Sequence, residues 1–184
     1  MIDYRKIETE YLKKMFKNPA GGRSDEKMEY TWFVSPLSED RYYGLCDMYA
    51  LYRIPEDKMW LRPDAVPPSS VADSVIRMAE EHRYEWIQVW PTNFETKRVD
   101  KHTVTRFDNA GVDGQEYVYK WIDKKFFSGI FKGCTFVTYP GPISTPVLVF
   151  DGDCPDIAAA KFDALLMPSF LNADGTQYLS GQEK

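Results

Sequence analysis

The side chains with catalytic capacity are few and scattered. The chain holds two histidines, His82 and His102, and three cysteines, Cys46, Cys134 and Cys154. A nucleophilic triad needs a hydroxyl or thiol, a histidine and a carboxylate converging in space, and no Gly-x-Ser-x-Gly elbow is present. An enzyme would require a deep pocket bringing His82 or His102 to a carboxylate. The cysteines lack metal-ligand spacing. Asp151-Gly152-Asp153-Cys154-Pro155-Asp156 alternates carboxylates as a calcium loop does, but it has neither the closing bidentate glutamate nor flanking helices. It reads as a charged turn between strands. Gly21-Gly22-Arg23 follows a helix, so it is a stop signal and not a phosphate cradle. Glu80-Glu81 reads as a solvated pair on a helix surface. No catalytic residue, metal or cofactor is predicted.

Binding chemistry has more candidates. Lys6, Lys13 and Lys17 project from one side of an N-terminal helix, and Lys125 and Lys132 from one side of a later one. Such stripes either are solvated faces or meet phosphates. Tyr84, Trp86 and Trp90 alternate along a strand pattern and could stack bases, although aromatics sharing a strand face commonly belong to a core. The same holds for Trp32, Trp60 and Trp121.

The elements that position these groups follow from periodicity and punctuation. Asp3 can cap a helix running to Lys17, with Tyr4, Ile7, Tyr11 and Met15 on one face. Strands are predicted at 30–34 and within 41–54, where Gly44 and Asp47 mark a bulge or a hairpin corner. Prolines 63, 67 and 68 make the next stretch a connection. Ser69 or Ser70 caps a helix to about His82, with Val71, Val75, Met78 and Ala79 as its apolar side. Strands follow at 84–90, 102–107 and 116–121, with a polar loop over 91–101. Asp123 caps a helix through Phe131, stopped by Gly133. The last strands are 134–139, 145–150 and 162–167, and 172–184 is a flexible tail.

With 184 residues the chain can bury a full core. Its composition, 43% hydrophobic and 28% charged, excludes disorder throughout. The net charge of −5 argues against a protein coated by nucleic acid through bulk charge but leaves room for a local basic face. The odd cysteine count and the lack of a leader pattern predict free thiols and a cytoplasmic location. No apolar run approaches a membrane span.

A helix followed by three strands occurs twice, over about 1–58 and 115–171, joined by 59–114. The second copy resembles the end of the bacterial DNA polymerase sliding clamp, the beta subunit. Tyr117-Val118-Tyr119-Lys120-Trp121-Ile122-Asp123-Lys124-Lys125-Phe126-Phe127 resembles that family's strand leading into its helix. Gly141-Pro142-Ile143-Ser144-Thr145-Pro146-Val147-Leu148-Val149 resembles its Gly-Pro-x-Ser-Pro-Leu-Leu-Ile segment, and Asp163-Ala164-Leu165-Leu166-Met167-Pro168 its last strand. Gly44-Leu45-Cys46-Asp47-Met48-Tyr49-Ala50-Leu51 is faintly similar to its Ala-Thr-Asp-Gly-His-Arg-Leu strands. A clamp subunit has three such domains, whereas this chain has room for one, with an insertion near 60–115.

The resemblance implies an α+β fold: a single DNA-clamp-like domain, 1–171, of two helix-plus-antiparallel-strand halves. It implies two helices side by side on one sheet face, a DNA-facing surface of Lys6, Lys13, Lys17, Lys125 and Lys132, and a partner-binding region at Leu166, Met167 and Phe170. The function expected is a non-enzymatic accessory of replication or of a phage or other mobile element. Its partners would be DNA, a replication protein or further copies of itself. The alternative is a protein-interaction or inhibitor module that uses the aromatic-rich strands, recognisable by an exposed patch containing Trp86 or Trp90.

Overall fold

The structure, a computed structural model, describes residues 1–9, 29–34, 41–46, 50–58, 70–110, 112–154, 156–157, 160–172 and 174–176. Two hairpin-rich meanders form its frame. The first is β1 (Glu29–Val34), β2 (Arg41–Cys46) and β3 (Ala50–Arg53). The second is β7 (Thr135–Thr138), β8 (Val147–Phe150) and β9 (Ala164–Leu166). Between them in sequence lie β4 (Ile87–Val99), β5 (His102–Asp108) and β6 (Tyr119–Asp123). All pair antiparallel in one nine-stranded order, β1-β2-β3-β9-β8-β7-β4-β5-β6. The fold is α+β and mostly sheet.

The two meanders meet through their third strands. Ala50 pairs with Leu166, Leu51 with Leu165 and Tyr52 with Ala164. The order therefore reads first, second, third strand of one half, then third, second, first of the other. A helix precedes each meander: α1, helical over residues 4–9, and α3 (Lys124–Phe127).

Period-two alternation sends successive side chains to opposite faces. Ala50, Tyr52, Val147, Val149, Ala164 and Leu166 face one core, shared with Ile2 and Ile7 at α1 and with Phe126 and Ile130. Leu51, Leu148, Phe150 and Leu165 face the other, shared with Ile76 and Ala79 of α2 (Ser70–Glu81). Both faces are covered, so these strands are apolar at every position of Val147–Phe150 and Ala164–Leu166.

Three expectations change. The helix expected through Phe131 ends at Phe127, because Gly129 takes φ +69 and the chain turns before Gly133. The strand expected over 84–90 starts at Ile87, behind a 3-10 turn at Arg83–Glu85. The polar loop expected over 91–101 is instead strand to Val99. It pairs with β5 in two registers, Pro91↔Phe107 and Thr96↔Thr105, with an irregularity between them. This bend lets β4 pair with β7 through Ile87–Val89 and with β5 farther along. Asp100, with φ +52, closes the β4–β5 hairpin.

Candidate nucleic-acid and partner surfaces

The two helical segments are neighbours on one sheet face. Asp3 caps α1, its Oδ1 accepting the Lys6 N–H at 2.9 Å. Ile2 forms an antiparallel bridge with Phe131, and the Asp3 N–H donates to the Ile130 carbonyl at 2.9 Å. Lys6 is half-buried, and its Nζ donates to the Ser128 carbonyl at 2.9 Å. Asp123 caps α3 through the Lys125 N–H at 3.0 Å. Its other oxygen meets His102 Nδ1 at 2.6 Å and Lys125 Nζ at 3.5 Å. Lys125 also lies over the Phe126 ring at 4.6 Å. Lys132 is exposed.

Of the five lysines singled out in the sequence, Lys6, Lys125 and Lys132 thus lie on or against the 124–132 segment. Lys13 and Lys17 lie outside the described residues. Lys6 and Lys125 carry other engagements, a carbonyl and a carboxylate, which reduce the charge they can offer to a phosphate.

The apolar trio does not form one surface. Leu166 is 0% exposed, inside the core shared with α1, so it offers nothing to a partner. Strand alternation puts Met167 on the opposite core, beside α2. Phe170 is 59% exposed. Asn172, Asp174, Gly175 and Thr176, expected in a loose tail, form a hydrogen-bonded turn in which the Asn172 N–H donates to the Thr176 carbonyl at 2.9 Å.

The aromatic face also divides. Tyr84 is 94% exposed on its 3-10 turn. Trp86 packs on Phe150 at 5.6 Å, and its indole N–H donates to the Ala79 carbonyl at 3.1 Å. Trp90 is 45% exposed and sits across β5 from Tyr119, in the row Trp90↔Asp108↔Tyr119. Tyr117, 51% exposed, is 6.2 Å from Tyr119. Arg106 is held nearby, 2.5 Å from Glu95 and 2.8 Å from Asp108, while Thr92 donates to Asp108 at 3.2 Å. The sequence did not single out Tyr117, Arg106 or Asp108; the signal was the β4–β5–β6 register, hidden while 91–101 reads as a loop.

Both histidines have a carboxylate. His82 Nδ1 is 3.0 Å from Glu85, and its ring stacks on Tyr139 with centroids 4.5 Å apart. Burial pushes the Tyr139 hydroxyl up to about 12, with Glu85 and Glu81 adding to the effect. Its oxygen has no hydrogen-bond partner among the described residues. Lys120 is buried as well, and its Nζ donates to the Pro142 carbonyl at 2.8 Å and to Thr145 Oγ1 at 2.6 Å. Burial lowers its pKa to about 8. The acidic run is a tied turn: the Asp151 N–H donates to Asp163 Oδ2 at 2.9 Å and the Thr135 hydroxyl to the Gly152 carbonyl at 2.9 Å. Among the described residues no cluster of His, Cys, Asp and Glu is arranged to hold a metal ion, and no helix is long and apolar enough to cross a membrane.

No protein-family model matches the chain, and no curated protein or solved structure matches it either.

Proposed function

We propose that the chain acts by binding, as a DNA- or replication-protein-binding accessory on a clamp-like domain. The reading rests on the two helix-plus-meander halves, whose helices share one face of the sheet and gather Lys6, Lys125 and Lys132 at one segment. Fold likeness is an analogy, so the test is direct. Fluorescence anisotropy with duplex and single-stranded oligonucleotides at low salt should show binding that weakens as salt rises. The double variant Lys125→Glu, Lys132→Glu should weaken it about tenfold. No binding to either oligonucleotide at low salt overturns the DNA reading.

A second reading is favoured by a separate observation, the exposed Trp90 and Tyr117 on the same β4–β5–β6 end as a fixed Arg106. Trp, Tyr and Arg dominate protein-interface hot spots. In this reading the β4–β5–β6 end meets a protein partner. Trp90→Ala with Tyr117→Ala would abolish capture of that partner and leave oligonucleotide binding untouched.

A further inference from the structure

Positive charge gathers at the tip of the β4–β5 hairpin. Val99 pairs with His102, so Asp100 and Lys101 alone make the turn, and Arg98 pairs with Thr103 one step in. β6 ends beside it: Val104 of β5 pairs with Asp123, and α3 begins at Lys124. The register therefore brings the start of α3 to the hairpin tip. Arg98, Lys101, Lys124 and Lys125 are exposed. Arg98, Lys101 and Lys124 enter no ion pair among the described residues. Against these cations stand two carboxylates, Asp100 and Asp123, in a chain whose net charge is −5.

One of the two carboxylates is already committed inside the cluster. Asp123 is buried, caps α3, and holds His102 Nδ1 at 2.6 Å and Lys125 Nζ at 3.5 Å. The His102 side chain is half exposed. With Nδ1 bound to the carboxylate, Nε2 is the ring nitrogen left for a ligand. In the protonated ring both nitrogens donate, so Nε2 then offers a charged N–H beside Lys125. The charged groups around the ring are Asp123 and Lys125, Lys97 from β4 on the same sheet face, and Asp100 and Lys101 within the turn.

We infer that the β4–β5 hairpin tip is a nucleic-acid contact. Arg98, Lys101 and Lys124 meet backbone phosphates, and His102, oriented by Asp123, adds a contact that strengthens when the ring takes up a proton. The inference rests on the DNA-binding reading and moves the centre of its surface. Lys6 is engaged by a carbonyl on the α1 side, whereas the cations at the tip stand in solvent on a two-residue turn. Closely spaced cations on one turn suit a ligand whose charges repeat along a backbone. The exposed side chains from Arg98 to Thr103 are all polar, so a lipid surface would meet charge here without an apolar anchor.

The test uses the full-length chain and fluorescein-labelled duplex and single-stranded oligonucleotides at low salt. Arg98→Glu with Lys101→Glu should weaken binding at least about tenfold. Lys58→Glu with Arg77→Glu makes the same change in net charge elsewhere and should weaken it by less than about threefold. The milder pair Arg98→Gln with Lys101→Gln should lower the slope of log affinity against log salt by about 1–2. Between about pH 8 and pH 6 the wild type should gain at least about threefold in affinity, a gain that His102→Gln loses and His82→Gln keeps. Equal weakening by the two glutamate pairs overturns the inference, as does a pH gain kept by His102→Gln. Tighter binding to phosphatidylserine vesicles than to either oligonucleotide overturns it too. Undiminished binding by the Arg98→Glu, Lys101→Glu protein, with loss in Lys125→Glu, Lys132→Glu, overturns the inference and leaves the DNA reading standing. A wild type that binds neither oligonucleotide overturns both.

Discussion

The Lys6 ammonium lies 2.9 Å from the Ser128 carbonyl, joining α1 to the turn that ends α3. The backbone makes position 129 glycine, and this contact crowds it further. Gly129 has φ +69, and a Cβ there would sit 2.6 Å from Lys6 Nζ. Gly129→Ala should cost about 1–2 kcal/mol, mostly from the left-handed backbone. Lys6→Met should cost about 1 kcal/mol for the lost bond. The double variant should cost less than the sum, since the shortened demand for space is shared. Urea denaturation of the four proteins measures all three terms.

Lys120 gives stability a pH dependence of unusual sign for a lysine. Its pKa falls from 10.5 to about 8 on folding because burial disfavours the charge. Between those values the unfolded chain binds more protons, so stability rises with pH. Tyr4 and Tyr139, pushed up to about 12 by burial, act in the opposite sense above their ordinary value of 10. The amino terminus and the Cys134 and Cys154 thiols, raised on folding, act in that opposite sense within pH 8 to 10, so the quantity to read there is the difference in slope between wild type and Lys120→Met. Lys120→Met should remove the Lys120 contribution there, and Pro142 O keeps the Thr145 N–H at 3.0 Å and the Thr145 hydroxyl. Denaturation midpoints of both proteins across that window check it; identical slopes refute it.

Two buried tyrosines should answer oppositely to loss of the hydroxyl. Tyr52 donates to the Phe126 carbonyl at 3.1 Å, linking β3 to α3, and Tyr52→Phe should cost about 1 kcal/mol. The Tyr139 hydroxyl is buried without a partner among the described residues. Tyr139→Phe removes an uncompensated polar group and should be neutral or stabilising by up to about 1 kcal/mol. Thermal melts of the two variants decide the contrast.

Arg53 and Asp163 extend the junction between the halves. The Arg53 N–H donates to the Asp163 carbonyl at 2.8 Å, and the side chains pair at 2.6 Å. Asp163 Oδ2 also accepts the Asp151 N–H at 2.9 Å. Asp163→Ala removes acceptors from both and should cost about 3 kcal/mol. Arg53→Met should cost less, because Asp163 keeps the Asp151 N–H. A denaturation midpoint lowered more by Arg53→Met than by Asp163→Ala would contradict this arrangement.

The central strands were legible because burial on both faces leaves no polar interruption in Val147-Leu148-Val149-Phe150 or Ala164-Leu165-Leu166. The caps Asp3 and Asp123 were legible because an N-cap is a local event, decided within three residues. The second part of β4 was not. Pro91, Asn93, Glu95, Lys97 and Arg98 carry loop chemistry, and pairing with β5 overrides it. The lysine stripe was half legible. Its helical spacing was visible, but the capture of Lys6 by Ser128 is a contact 122 residues away in the chain. The partner trio divides through the strand's own period: Leu166 and Met167 are adjacent, so they face opposite layers.

The β3–β9 seam also sets a schedule for synthesis. Arg53 and its partner Asp163 are 110 residues apart. At ordinary rates of synthesis β3 would wait roughly 5–20 s for β9 to be made. Throughout that interval the first meander presents an unpaired edge through Ala50, Leu51 and Tyr52, all buried in the finished protein. A nascent chain stalled near residue 120 is therefore a template for strand addition by any neighbour. Ribosome-bound chains of that length should engage a holding chaperone, and chains released after Leu166 is exposed to solvent should not.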